Sequence, residues 1–375
     1  MARPLVVALV FTLFATGACS DRNSHCGQDN DPDRQIYECT SIIERGKRES
    51  ESIRASAYYS RGNAYKDKGE VDQAIADYTK AIALNPNDAD FYYNRGNAYD
   101  DNGHVDRAIG DYTRAIAIDP KRALAYTNRG VAYKKKGNVD RAIADYDKAI
   151  AIDPKLALAY TNRGAAYYRM GEVDRAIADY SKAIAIDPKR ALAYYNRGVA
   201  YYYHKGEVDL AISDYTKAIA LNQEDADFYY NRGAAYYRKG EVDRAIADYA
   251  KAIAIDPNYA KAYTNRGAAY AGKGDDDRAI EDWTTAIALN PKDALAYNNR
   301  GAAFQKKGEV DRAIADYTKA IAVNPKYAKA HTNRAGAYAE KGKIDRAIAD
   351  LRKALAIDPS NRLAITKLKA FGATP

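Results

Sequence analysis

Methionine and tryptophan are nearly absent, at 2 and 1 in 375 residues, and cysteine, histidine and phenylalanine number only 3, 4 and 6. None of the histidines, His25, His104, His204 and His331, pairs with a cysteine or an acid at metal-site or triad spacing. There is no phosphate loop and no nucleophile elbow, so the chain reads as a non-enzyme, with no catalytic residue, no metal and no cofactor. Long apolar runs are also lacking beyond a single one near residue 1, which excludes a polytopic membrane protein. A net charge of +8 is small for this length and the hydrophobic content is 47%, which excludes a disordered chain. What is abundant is tyrosine, 34 residues of it, and Ala-Ile pairs that recur throughout. Tyrosine at that level points to a repeated position.

The apolar run occupies residues 5–14, behind the short basic segment Met1-Ala2-Arg3-Pro4 and ahead of small residues at Ala15, Gly17, Ala18 and Cys19. It is too short to span a bilayer, and the pattern is that of an export signal over residues 1–18. Three readings follow. The first is a cleaved secretory signal; the second is a lipoprotein signal, in which Cys19 behind Gly17-Ala18 carries a lipid; the third is an uncleaved anchor. Thr16 stands where the lipoprotein box usually has an aliphatic residue. The expected location is the periplasm or the outside, with membrane contact only through such a lipid anchor. In an oxidising compartment Cys26 and Cys39 are expected to form a disulfide, stabilising by about 3 kcal/mol in the chain-entropy picture. His25 beside Cys26 lacks a fourth ligand for a metal.

A 34-residue period governs the rest. Gly62, Gly96, Gly130, Gly164 and Gly198 keep that step, Gly233 comes one residue late, and Gly267 and Gly301 resume it. Pro86, Pro120, Pro154, Pro188, Pro257, Pro291, Pro325 and Pro359 follow the same period, with Gln223 breaking the series. With Ala55 as position 1, the first unit reads ASAYYSRGNAYKDKGEVDQAIADYTKAIALNPND. Positions 4, 8 and 11 fall on one helix face, so Tyr58, Gly62 and Tyr65 form a stripe. A second helix after Gly69 carries Ala74, Tyr78, Ala81 and Ile82, with Asp72 as its expected cap and Gly62 expected to sit opposite Ala74.

Tyr58, Gly62, Tyr65, Ala74, Tyr78, Ala81 and Pro86 together resemble the tetratricopeptide repeat family, and nine such units fill residues 55–361. The resemblance implies an all-α fold, a right-handed α-solenoid of helix–turn–helix repeats whose inner groove binds peptide or protein segments. Residues 19–54 read as a disulfide-stapled N-terminal cap, a decayed repeat in which Asp33 aligns with Asp72 and Cys39 with Tyr78; residues 362–375 read as a C-terminal capping helix. The function expected is a protein-interaction scaffold exported to the cell envelope; the alternatives are a self-assembling structural protein and a lipoprotein adaptor of the outer envelope.

Two charged ladders run through all nine units, arginine at position 7 (Arg61 to Arg334) and aspartate at position 23 (Asp77 to Asp350). Their matching numbers suggest partly exposed ion pairs between the two helices of a unit, not a nucleic-acid track. Residues 294–375 carry 16 Lys and Arg against 7 Asp and Glu, a basic end that reads as solvated outer faces or as a contact for acidic partners.

Framework positions 4, 11 and 24 use 23 of the 34 tyrosines. Of the remainder, Tyr59, Tyr93, Tyr168, Tyr195, Tyr202, Tyr203, Tyr230 and Tyr237 lie on the arc that lines the groove in this family, six of them between residues 157 and 259. The peptide-binding residues expected are Tyr168, Arg169, Tyr195, Asn196, Tyr202, Tyr230, Asn231, Tyr237 and Arg238. Tyrosine offers area and a polar tip, the Asn ladder at position 6 offers amides to a ligand backbone, and the arginines meet carboxylates. The extra residue of the 35-residue unit falls in Tyr201 to Lys205, as a bulge or longer turn with low exchange protection.

Overall fold

The computed structural model describes residue 26 and residues 31–374, and over these the chain is helical, with no strand. The segment read as an export signal, together with Cys19 and His25, lies outside the described residues. The chain divides into two compact units, residues 1–166 and 167–375.

The helices before the division are α1 (Pro32–Glu44), α2 (Glu51–Asp67), α3 (Val71–Leu84), α4 (Ala89–Asp101), α5 (Val105–Ile118), α6 (Ala123–Lys135), α7 (Val139–Ile152) and the main part of α8 (Ala157–Arg169). After it come α9 (Val173–Ile186), α10 (Ala191–Ala200), α11 (Val208–Leu221), α12 (Ala226–Lys239), α13 (Val242–Ile255) and α14 (Ala260–Gly272). The last are α15 (Asp276–Leu289), α16 (Ala294–Lys306), α17 (Val310–Val323), α18 (Ala328–Glu340), α19 (Ile344–Ile357) and α20 (Arg362–Ala370). From α2 to α19 they alternate as the first (A) and second (B) helices of each repeat.

Eight of the nine B helices from α3 to α19 end where the residue before a proline turns extended, as Asp119 does at φ −124° and ψ 90°, because a pre-proline residue is driven out of the helical region; in the fifth repeat Asn222 turns extended ahead of Gln223. Each starts just past a turn glycine held in the left-handed region, Gly69 at φ 77° among them. Asp72 is not the cap: α3 begins at Val71, its N-cap residue Glu70 makes no side-chain cap bond, and Asp72 sits in the first turn, where it favours the positive helix end.

Inside a repeat the two helices close on one another through position 8. A methyl group on Gly62 would lie 2.8 Å from the Tyr78 ring, and one on Gly130 2.6 Å from that of Tyr146. The glycine therefore faces the aromatic at position 24 first; at Gly130 the added carbon would next meet the position-20 backbone, Ala142 O at 3.1 Å. The rings are fully buried, and small alanines at positions 10, 20 and 27 complete each core.

The arginine and aspartate ladders are internal, and more buried than their spacing suggested. Arg61 donates from Nε and Nη2 to both oxygens of Asp77 at 2.7 and 2.8 Å, and Arg232 does the same to Asp248. The aspartates are buried at 4–7% exposure, so the fork-to-fork geometry compensates the cost of taking each carboxylate from water. The remaining Nη1 reaches back one repeat, from Arg95 to Thr79 at 3.0 Å and from Arg232 to Thr216 at 3.2 Å. Tyrosines at positions 4 and 11 flank the same guanidinium, as Tyr229 and Tyr236 do at 5.8 Å from Arg232.

The same links extend to α1. Arg61 Nη1 donates to Thr40 at 2.9 Å, the same reach that Arg95 makes to Thr79, and Lys68 pairs with Asp33 as Lys136 pairs with Asp106. Cys39 is buried at the tyrosine position, at disulfide distance from Cys26. Helix α1 thus makes the contacts to the first repeat that a B helix makes to the repeat after it. At the other end α20 lays Ala364 and Leu368 on Ala335, Leu351 and Ala354. His331, at position 4, is core: it is buried with Nδ1 3.2 Å from Asp350.

Candidate functional site

Positions 5, 6, 9, 12 and 13 of the A helices form a face away from the glycine stripe. Its first feature is a set of links between successive repeats that sequence reasoning did not foresee. The position-6 amide donates to the position-5 hydroxyl of the repeat before it: Asn94 to Tyr59 at 2.8 Å, Asn128 to Tyr93 at 3.1 Å, Asn231 to Tyr195 at 3.0 Å and Asn265 to Tyr230 at 3.1 Å. Asn231 is buried, and its amide nitrogen also donates to Asp227 O at 2.9 Å. Its N–H groups are engaged within the array.

The position-5 rings are wedged as well. Tyr195 lies 4.8 Å from Phe228 and 5.9 Å from Tyr215, and Tyr230 lies 4.9 Å from Tyr259 and 5.9 Å from Tyr249, centroid to centroid. Burial pushes the Tyr230 phenol up to about 12. Tyr195, Tyr230 and Asn231 are stapling residues of this face, and Asn196 is half-buried beside them.

The second feature is chemical variety around one irregular turn. The extra residue of the fifth repeat is absorbed as a π-helix, Tyr201–Lys205, which continues α10 and ends on Gly206 at φ 67°. π-Bulges of this kind recur at functional sites. This one exposes Tyr203 and His204 and leaves Tyr202 half-buried against the next repeat. Tyr202 and Tyr203 meet edge-on at 4.7 Å, and Tyr203 is 56% exposed. His204 Nε2 lies 3.1 Å from the Tyr168 hydroxyl, with the rings edge-on at 5.0 Å. Tyr202 donates to Ala234 O at 3.2 Å, and Arg238 of the next repeat donates to Tyr202 O at 3.1 Å while its guanidinium lies 5.3 Å from the Tyr202 ring centroid. Tyr237 adds a ring 41% exposed, and Arg169 is exposed.

The geometry thus brings Tyr168, Tyr202, Tyr203 and Arg238 together, adds His204, which spacing alone did not single out, and sets the Tyr237 hydroxyl toward Gly272 of the next repeat. Burial pushes the Tyr168, Tyr202 and Tyr203 phenols above their ordinary value, so at neutral pH they are hydrogen-bond donors with no charge. The surface offers π faces, hydroxyl donors and a guanidinium. Among the described residues no cluster of His, Cys, Asp and Glu is arranged to hold a metal.

The TPR repeat family matches residues 62–103, 132–171, 166–204, 202–240, 235–274 and 272–308, and the tetratricopeptide repeat families match 89–122, 111–144 and 302–362. No curated protein matches the chain. Among solved structures, the APC/C hetero-tetramer Cut9-Hcn1 aligns over 91% of this chain and 83% of its own, at 19% identity and a TM-score of 0.54. MamA aligns over 44% of this chain and 96% of its own, at 36% identity and a TM-score of 0.41. YrrB, described as a TPR protein with an unusual peptide-binding site, aligns over 49% and 95%, at 28% identity and a TM-score of 0.44. With the family matches spanning most of the repeats and the helix pairs packed in register, the chain belongs to the tetratricopeptide repeat family.

Proposed function

We propose that this protein is an exported, non-enzymatic scaffold that binds a peptide or protein segment on the A-helix face between residues 168 and 238. Repeat arrays of this family present extended surfaces of that kind to partners. The observation that carries the reading is the exposed aromatic and cationic cluster around the π-helix, where Tyr203 and Tyr237 leave 56% and 41% of their surface to water. Tyrosine on a rigid support binds with little loss of rotamer entropy. The expected binders Tyr195, Tyr230 and Asn231 contribute by holding that face in register. The signal-like N-terminus supports export to the envelope, by lipid anchor at Cys19 or as a free periplasmic or secreted protein.

The test is a triple variant, Tyr203→Ser with Tyr237→Ser and Arg238→Ser, all at exposed positions. Full-length protein and variant are used to capture partners from envelope extract, with melting curves alongside. Loss of a captured protein at an unchanged melting temperature supports the reading. Unchanged capture moves the function to the basic end or the opposite face. Capture of the chain's own copies alone favours the self-assembling alternative.

A further inference from the structure

One side-chain contact recurs between successive repeats: position 12 of one A helix meets position 13 of the next. Lys66 pairs with Asp101 at 3.4 Å, Lys135 with Asp100 at 2.8 Å, and Gln305 with Glu340. In the second unit aromatic rings take the first role. Tyr202 lies under Arg238, and the Tyr237 hydroxyl comes within 3.8 Å of where a side chain on Gly272 would start.

Between the seventh and eighth repeats this contact is not made. Position 12 is Ala271, too short to reach Lys306 at position 13, and Lys306 turns instead to Asp276 at 2.6 Å. Asp276 is itself a departure, because the other repeats place Val or Ile at that position 17, and valines such as Val71 and Val310 pack on the core there. The two substitutions leave a cavity of about 320 Å³. Its walls are Ala268, Ala271, Ala302 and Ala303, Trp283 lines it, and Asp276, Asn299 and Lys306 supply its polar groups.

We propose that this cavity is a subsite for a tyrosine side chain of a bound polypeptide. The chain supplies the template: two repeats earlier Tyr202 lies between position-9 and position-13 residues, its hydroxyl donating to Ala234 O and its ring beneath a cation. Ala302 and Lys306 hold those same positions at the cavity. The apolar walls fit a ring, and the ammonium at the rim complements its π face. The proposal rests on reading the A-helix face as the recognition surface, and names one side chain that surface selects.

Trp283 is the chain's single tryptophan and lines the cavity, so its emission reports on this place alone. Full-length protein is titrated with N-acetyl-tyrosinamide, exciting beyond tyrosine absorption, with N-acetyl-alaninamide as control. The expected result is a saturable change with half-saturation on the order of 1 mM, the scale of one side chain, and none from the alanine compound. Ala271→Tyr fills the cavity from within and should abolish the change at an equal or higher melting temperature. Lys306→Ala, at an exposed position, keeps the test open should the tyrosine variant not fold, and should raise half-saturation about threefold. No saturable change, an equal response to the alanine compound, or binding unaltered by these variants overturns the subsite. The titration does not involve residues 203, 237 and 238, so its failure is distinguishable from failure of the capture experiment.

Discussion

Ala335 packs with Leu351 in the ninth repeat, at the two positions where the other repeats set a glycine against an aromatic ring. The pairing is a volume exchange: a methyl group appears on one helix where ring atoms disappear from the other. Gly301 faces Tyr317 with only 2.9 Å between the ring and an added methyl carbon. Gly301→Ala should therefore cost about 1–3 kcal/mol through overpacking. Adding Tyr317→Leu should recover part of that loss, which thermal and urea unfolding of the single and double variants will measure.

The buried tyrosines at position 24 differ in whether their hydroxyls are satisfied. Tyr112 donates to Asn97 at 2.9 Å, whereas Tyr146, whose repeat has Val131 at that place, has a buried hydroxyl with no partner among the described residues. Tyr112→Phe should cost about 1 kcal/mol, and Tyr146→Phe should be neutral or stabilising, because a buried unpaired hydroxyl carries a desolvation penalty. Comparing the two melting temperatures checks the contrast.

Alkali should unfold the array through the same residues. Burial raises the phenols of Tyr78, Tyr112, Tyr146, Tyr180, Tyr215, Tyr249 and Tyr317 above their ordinary value. The folded state then holds these protons more tightly than the unfolded state does. Stability should be level below pH of about 10 and fall progressively above it. In a spectrophotometric titration the position-24 phenols should ionise only together with loss of helix; ionisation with helix intact would contradict this.

Hydrogen exchange should single out the fifth repeat. Its π-helix widens the regular hydrogen-bond ladder, and Gln223 replaces the proline that ends other units. Amides from about Val199 to Glu207 should exchange faster than the equivalent segments of the other internal repeats. Deleting one residue from Tyr201–Lys205 should restore ordinary protection there. Uniform protection in the parent protein would refute the expectation.

The period made the helix pairs legible, because Gly62, Tyr78 and Pro86 recur at a step that only stacked hairpins use. It made the Arg61–Asp77 pairing legible as well, since both ladders share one register. The Asn231–Tyr195 link was not, because its partners are 36 residues apart and each also reads as an open groove residue. Neither was the Trp283 cavity: Asp276 sits within an acidic turn, Asp275 to Asp277, that reads as solvated, and Ala271 looks like any helical alanine. Departures from a repeat gain meaning only when the neighbour they fail to touch is known.

The backward reach of the position-7 arginines gives the array a direction. Eight of the nine guanidiniums donate to an acceptor on the helix before them, the first to Thr40 on α1, and the exception is Arg266, which has Ala250 at that place. At the far end the ninth repeat carries Arg352 where Thr318 and Thr284 stand in the repeats before it, and α20 packs on that end. An arginine arriving from a second copy would meet a like charge and an occupied surface. The pattern that links repeats within the chain is therefore not repeated at this end, and a contact between copies there would need groups other than a position-7 arginine.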